Sequence, residues 1–130
     1  MNIESVDALR TIYPPAKDRA VKKQLTRLDR HCRQFISLSP FVMLSSSNAA
    51  WTMDASPRGG APGFVKAPDE HTLLIPDAPG NNRLDTLENI VATRQLGLLF
   101  LIPGVDETLR VNGAAAFRRL LIEWSVFQSC

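Results

Sequence analysis

The chain has 130 residues, 45% of them hydrophobic and 22% charged, with a net charge of +2. That size holds one domain around one hydrophobic core and excludes a large multidomain enzyme. The near-neutral balance argues against a strongly basic nucleic-acid binder, and no run approaches the ~18 consecutive apolar residues of a membrane span.

Residues 1–10 lack the basic start and apolar stretch of a secretory signal. Cys32 and Cys130 are too few and too far apart in sequence to make a disulfide framework. These features favour a soluble protein in a reducing, cytoplasmic setting.

Charge is uneven, with eight Lys/Arg against four Asp/Glu in residues 1–33. A short helix is expected over Val6–Ile12. Pro14 and Pro15 then precede a longer amphipathic helix over Ala16–Ser37. In it Val21, Leu25, Leu28, Cys32 and Phe35 recur at helical spacing and form one apolar stripe. The charges interleaved with that stripe read as a solvated face. Pro40 ends the helix, because the residue before a proline avoids the α region.

Phe41–Leu44 reads as a buried strand and Ser45–Asn48 as a turn. Trp51–Ser56 alternates apolar and polar, the period of a half-buried strand. A glycine and proline cluster, Pro57–Gly63, separates it from short strands at Phe64–Lys66 and Thr72–Ile75, with a turn at Pro68–Glu70. A second loop covers residues 77–82. Asn82 or Asp85 is expected to cap a helix whose Leu84, Leu87, Ile90 and Val91 face one side. Leu96–Ile102 is nearly all apolar, as a central strand requires. Thr108–Ala116 follows as a strand with Leu109, Val111 and Gly113 alternating. Five or six strands joined mostly by short turns indicate an antiparallel barrel or sandwich with flanking helices, not an α/β fold.

Metal-ligand spacings are absent: His31 and Cys32 point apart on a helix by about 100°, and His71 stands alone. Cys32 lies in the apolar stripe, where a cysteine is inert as a nucleophile. Two loops carry more. Ser56-Pro57-Arg58-Gly59-Gly60 ends a strand with a hydroxyl, a guanidinium and two glycines that admit close backbone approach. Arginine suits bidentate phosphate contact. Gly80-Asn81-Asn82-Arg83 opens a helix, whose N-terminus offers free N–H groups to anions. By spacing alone both loops are also ordinary turn chemistry.

Four runs carry a family resemblance: Ser39–Phe41, Ser56–Lys66, Thr72–Ile90 and Gly97–Ala115. They resemble the pyridoxamine 5′-phosphate oxidase-like, FMN-binding split-barrel proteins, in particular a bacterial subgroup of them. The resemblance implies a mainly β fold with flanking helices, a six-stranded split β-barrel that dimerises and binds FMN at the dimer interface. It divides the chain into an N-terminal helical segment (1–38), an FMN-binding core (39–117) and a C-terminal tail (118–130). Ser56, Arg58 and Gly59 fall in the first strand-end segment, and Asn82 and Arg83 fall where the family binds phosphate. Ile75 and Pro76 match strand positions whose backbone lines the flavin ring. Lys66 is a further candidate, and Arg110 matches a strand position near the ring, supplied by the other subunit. Phe64 and Ile75 offer apolar walls. The chain departs from the family pattern at Gly60, at Ala115 and throughout the tail.

The implied function is an FMN-dependent oxidoreductase acting on a small molecule as a cytoplasmic homodimer, with no metal, nucleic acid or membrane partner. No catalytic side chain is required, because the flavin carries the redox chemistry. The alternative is a non-catalytic flavin-binding or remnant domain whose barrel lacks its C-terminal part. A third reading is an anion-dependent interaction module built on the basic N-terminal helix.

Overall fold

The computed structural model describes residues 2–13, 26–77, 84–118 and 121–129, the residues from 126 onward by their backbone alone. The described helices are α1 (Val6–Ile12), α2 (Arg30–Leu38) and α3 (Asp85–Thr93). The strands are β1 (Phe41–Ser47), β2 (Met53–Gly59), β3 (Lys66–Asp69), β4 (Thr72–Pro76), β5 (Gln95–Leu101), β6 (Thr108–Arg118) and β7 (Leu121–Ser129). They form one sheet in the order β2-β1-β5-β6-β7-β4-β3, antiparallel at every pairing. This is the expected mainly β split barrel with flanking helices, built from seven strands rather than six.

Strand alternation places the core. Val42 and Leu44 of β1, Leu96, Leu98 and Phe100 of β5, and Leu109, Val111 and Ala115 of β6 are all buried. Leu73 and Ile75 of β4 and Ile122 and Trp124 of β7 complete the inward face. Cys32, Phe35 and Ile36 of α2 and Ile90 of α3 also join the core. Burying each large apolar side chain contributes roughly 1.5–3 kcal/mol, so these rows decide which face of the sheet turns inward.

A register shift interrupts the β6–β7 pairing between Asn112 and Gly113. A Cβ on Gly113 would lie 2.5 Å from the Trp124 ring and closer still to the Ser125 carbonyl. Only glycine lets the indole lie this close to the β6 backbone. Ala115 pairs with Trp124 and is buried, so a basic residue at this position would point into the core.

Several sequence expectations change in the structure. The continuous helix expected over Ala16–Ser37 is interrupted: residues 26–29 are not helical, residues 16–25 lie outside the described residues, and α2 starts at Arg30, with Asp29 as N-cap accepting from the Cys32 N–H at 2.8 Å. Val21 and Leu25 lie outside the described residues. Leu28 is fully buried without being helical: its N–H donates to the Glu70 carbonyl at 2.7 Å, tying the chain to the β3–β4 turn. Ser45–Ser47, expected as turn, extend β1. The expected Phe64–Lys66 strand is shifted forward, because β3 starts at Lys66. Cys32 is buried as expected but is not a free thiol, so it lends no support to a reducing setting.

Helix α3 is turned from its expected face. Val91 is 70% exposed and Leu84 50% exposed, while Thr86, Asn89 and Ile90 are buried. Neither Asn82 nor Asp85 is its cap: Leu84 holds that position without a side-chain hydrogen bond, and Asp85 is the first helical residue. The helix docks through polar contacts instead. The Thr86 hydroxyl donates to Asp54 at 3.1 Å, the Asn89 amide to the Ser46 hydroxyl at 3.0 Å, and the Thr93 hydroxyl to the Ser47 carbonyl at 3.2 Å.

Residues 121–129, read as a tail that departs from the family pattern, form β7 in the interior of the sheet. It pairs with β6 on one side and with β4 on the other.

Candidate functional site

Strand β2 lies at one end of the sheet order, an edge position that tolerates Pro57. Its Ser56 and Arg58 pair opposite Leu44 and Val42 of β1, so both turn to the inward face. The Arg58 guanidinium reaches across the opening of the barrel to Asp77, which follows β4. Nη1 donates to Oδ1 at 2.6 Å, with the two side chains 9% and 14% exposed. A buried pair of this kind is electrostatically strong only while both partners remain, since either charge alone stays desolvated. The Arg58 Nε is buried with no hydrogen-bond partner among the described residues. Among the described residues the cation therefore keeps a donor in reserve.

Gly59 ends β2 opposite Phe41, and a Cβ there would come to 3.4 Å from the Pro40 carbonyl. A Cβ on Gly60 would stand 3.0 Å from Phe64. These glycines let the segment after β2, residues 60–63, fold back on the end of β1, where the Gly60 N–H donates to the Pro40 carbonyl at 3.1 Å. Ile75 is a core side chain paired with Ile122, and Pro76 is exposed at the end of β4. Both lie past Lys66–Leu74, the pair at the start of β3.

The remaining candidates are dispersed. Arg110 pairs with Leu99 and stands exposed on the outer face of β6, the opposite face from Arg58. It borders an open groove of about 630 Å³ with Met43, Met53, Leu99, Ser45 and Asn112. Lys66 lines another cleft, between β3 and α2. Asn82 and Arg83 lie outside the described residues. The fold thus brings Ser56, Arg58, Gly59 and the end of β4 to one opening, and it puts Arg110 and Lys66 elsewhere on the protomer.

Sequence reading missed Asp77, the residue that engages Arg58. An acid beside the proline that ends β4 looks like turn chemistry, and only the closing of the sheet shows what it faces. Asp69 at the β3–β4 turn is held in its charged form. The His71 backbone N–H, donating at 2.8 Å, holds its carboxyl below the usual carboxylate range. Among the described residues no group of three or more His, Cys, Asp or Glu side chains is placed to hold a metal ion. No described helix is long and apolar enough to cross a membrane.

The family model for pyridoxamine 5′-phosphate oxidase matches residues 28–120. None of the curated proteins matches the chain. Among solved structures, a Lactobacillus delbrueckii protein provisionally named a pyridoxamine 5′-phosphate oxidase superposes with a TM-score of 0.64 at 12% identity. That alignment covers 82% of this chain and 95% of the other. HupZ of Group A Streptococcus gives 0.55 at 13% identity over 75% and 88% of the two chains. A single-substitution variant of HupZ gives 0.58 at 12% identity over 76% and 94%. At such identities these likenesses establish the fold.

Proposed function

Because the chain belongs to the pyridoxamine 5′-phosphate oxidase family, we propose that it binds FMN and acts, as a homodimer, as a flavin-dependent oxidoreductase on a small molecule. The observation that carries this reading is Arg58: a buried guanidinium at the opening of the barrel whose Nε has no partner among the described residues. A buried unmade donor costs about 1–3 kcal/mol, and a phosphate oxygen at this position would offset that cost. The residues present fit the phosphate end of FMN in this respect.

In this reading Arg58 and the Ser56 hydroxyl hold the phosphate, and Asn82 and Arg83, between Asp77 and Leu84 in the chain, join them. The backbone of Ile75 and Pro76 faces the ring. Arg110 contributes from the partner subunit, consistent with its position on the outer face. When bound, FMN supplies the hydride or electron transfer. The chain's own work is to bind and orient it. Strand β7 fills the sheet between β6 and β4.

The test is the absorbance spectrum of the purified protein, an FMN titration followed by flavin fluorescence, and light scattering for mass. Flavin bands and a dimer are expected. Arg58→Gln should weaken FMN by roughly 1.5–3 kcal/mol, the value of a lost charge-assisted bond. Asp77→Asn should instead leave affinity unchanged or raise it, because the carboxylate competes for the same guanidinium. A colourless protein that ignores FMN, or two variants that weaken binding alike, would overturn the assignment.

A further inference from the structure

The cleft between α2 and β3 has an uncompensated charge. Arg30 and Arg33 of α2 and Lys66 of β3 line it, none of its lining residues is acidic, and its volume is about 570 Å³. Its floor includes Ile36 and Val65, both buried apolar residues. Arg33 is fixed at the rim, its Nη2 donating to the Ala67 carbonyl at 3.1 Å. The Arg30 and Lys66 side chains have no hydrogen-bond or ion-pair partner among the described residues.

The carboxylates nearby are already engaged. Asp29 caps α2, Glu70 pairs with Arg27 at 3.3 Å, and Asp69 accepts from the His71 N–H. Like charges three residues apart on a helix disfavour one another, and here a third cation from another element converges on them. Among the residues that line the cleft every charge is positive.

We propose that this cleft is an anion site for a phosphate-bearing small molecule, with the three cations holding the phosphate and the apolar floor receiving its body. The site is separate from the opening at Arg58, which is not among the residues lining the cleft, and it does not rest on the flavin reading. Guanidinium groups match phosphate oxygens in paired geometry, and lysine adds a compact point charge.

Isothermal titration calorimetry of the full chain with inorganic pyrophosphate, with and without added FMN, tests the proposal. Saturable binding at one site is expected, weakening as salt rises. The double variant Arg30→Ala, Lys66→Ala should lose about tenfold or more in affinity, and Lys66→Gln alone a smaller part. Arg58→Gln should keep pyrophosphate binding, while Arg30→Ala should keep its FMN titration. The cleft and the flavin reading can therefore fail independently. Arg30 and Lys66 are exposed, and far-UV circular dichroism checks that each variant is folded. Absence of saturable heat, or binding that survives the double substitution, overturns the proposal. Binding of heparin without any response to pyrophosphate overturns it too, in favour of an extended polyanion.

Discussion

Gly113 shows how much a single position constrains this barrel. The Trp124 ring packs where a Cβ would stand, and the β6–β7 register shifts at the same place. Gly113→Ala should therefore destabilise the protein by about 1–3 kcal/mol, the range for overpacking a well-filled core. A urea midpoint that does not move would show that the indole has room to withdraw. The residue scale also marks what sequence reading could reach at the site. Arg58 was legible because a cation at a glycine-bounded strand end is unusual. Asp77 was not, because its partner lies 19 residues away on a strand at the other side of the opening. Loop-side acids are common, and nothing in their spacing reports a cross-sheet pair.

At the scale of elements, hydrophobic period was a good guide where packing is apolar and a poor one elsewhere. Strands β5 and β6 and helix α1 emerged close to their expected bounds. The stripe through Leu28, Cys32 and Phe35 marked core residues correctly but ran on through residues 26–29, which are not helical. A residue reaches the core from an extended segment as readily as from a helix, and Leu28 does so through its bond to Glu70. Leu28→Ala should cost about 2–5 kcal/mol by leaving a cavity, measured as a shift in the denaturation midpoint. A change below 1 kcal/mol would mean that the site collapses or that Leu28 is not packed as described. For α3, Thr86, Asn89 and Thr93 share a face with Ile90, and polar docking leaves no apolar stripe to read. Its rotation was hidden from an argument based on hydrophobicity alone.

For the whole molecule, the decisive element is β7. The family match stops at residue 120, and the sequence after it looked unlike the family. Yet Ile122 and Trp124 are completely buried there. Each strand of the β3–β4 hairpin reaches the rest of the sheet only through this strand. Deleting residues 121–129 should therefore abolish cooperative unfolding, read by near-UV circular dichroism across a urea series. A sharp transition in the truncated chain would show that the remaining strands close without it. The sequence could not announce this role, because partnership in a sheet is decided by distant strands rather than by local pattern.

The strand order also bears on how the protein is made. Strands β3 and β4 leave the ribosome well before β5 and β6, but their bridge to those strands is β7, which is synthesised after all of them. A nascent chain therefore exposes two unjoined pieces, a small hairpin and a meander around β1, β5 and β6, until residues 121–129 emerge. Such long-range pairing slows folding and leaves strand edges open in the meantime. The yield of this protein in a cell should thus respond to chaperone supply and to translation rate near the end of β7 more than to changes in its early helices.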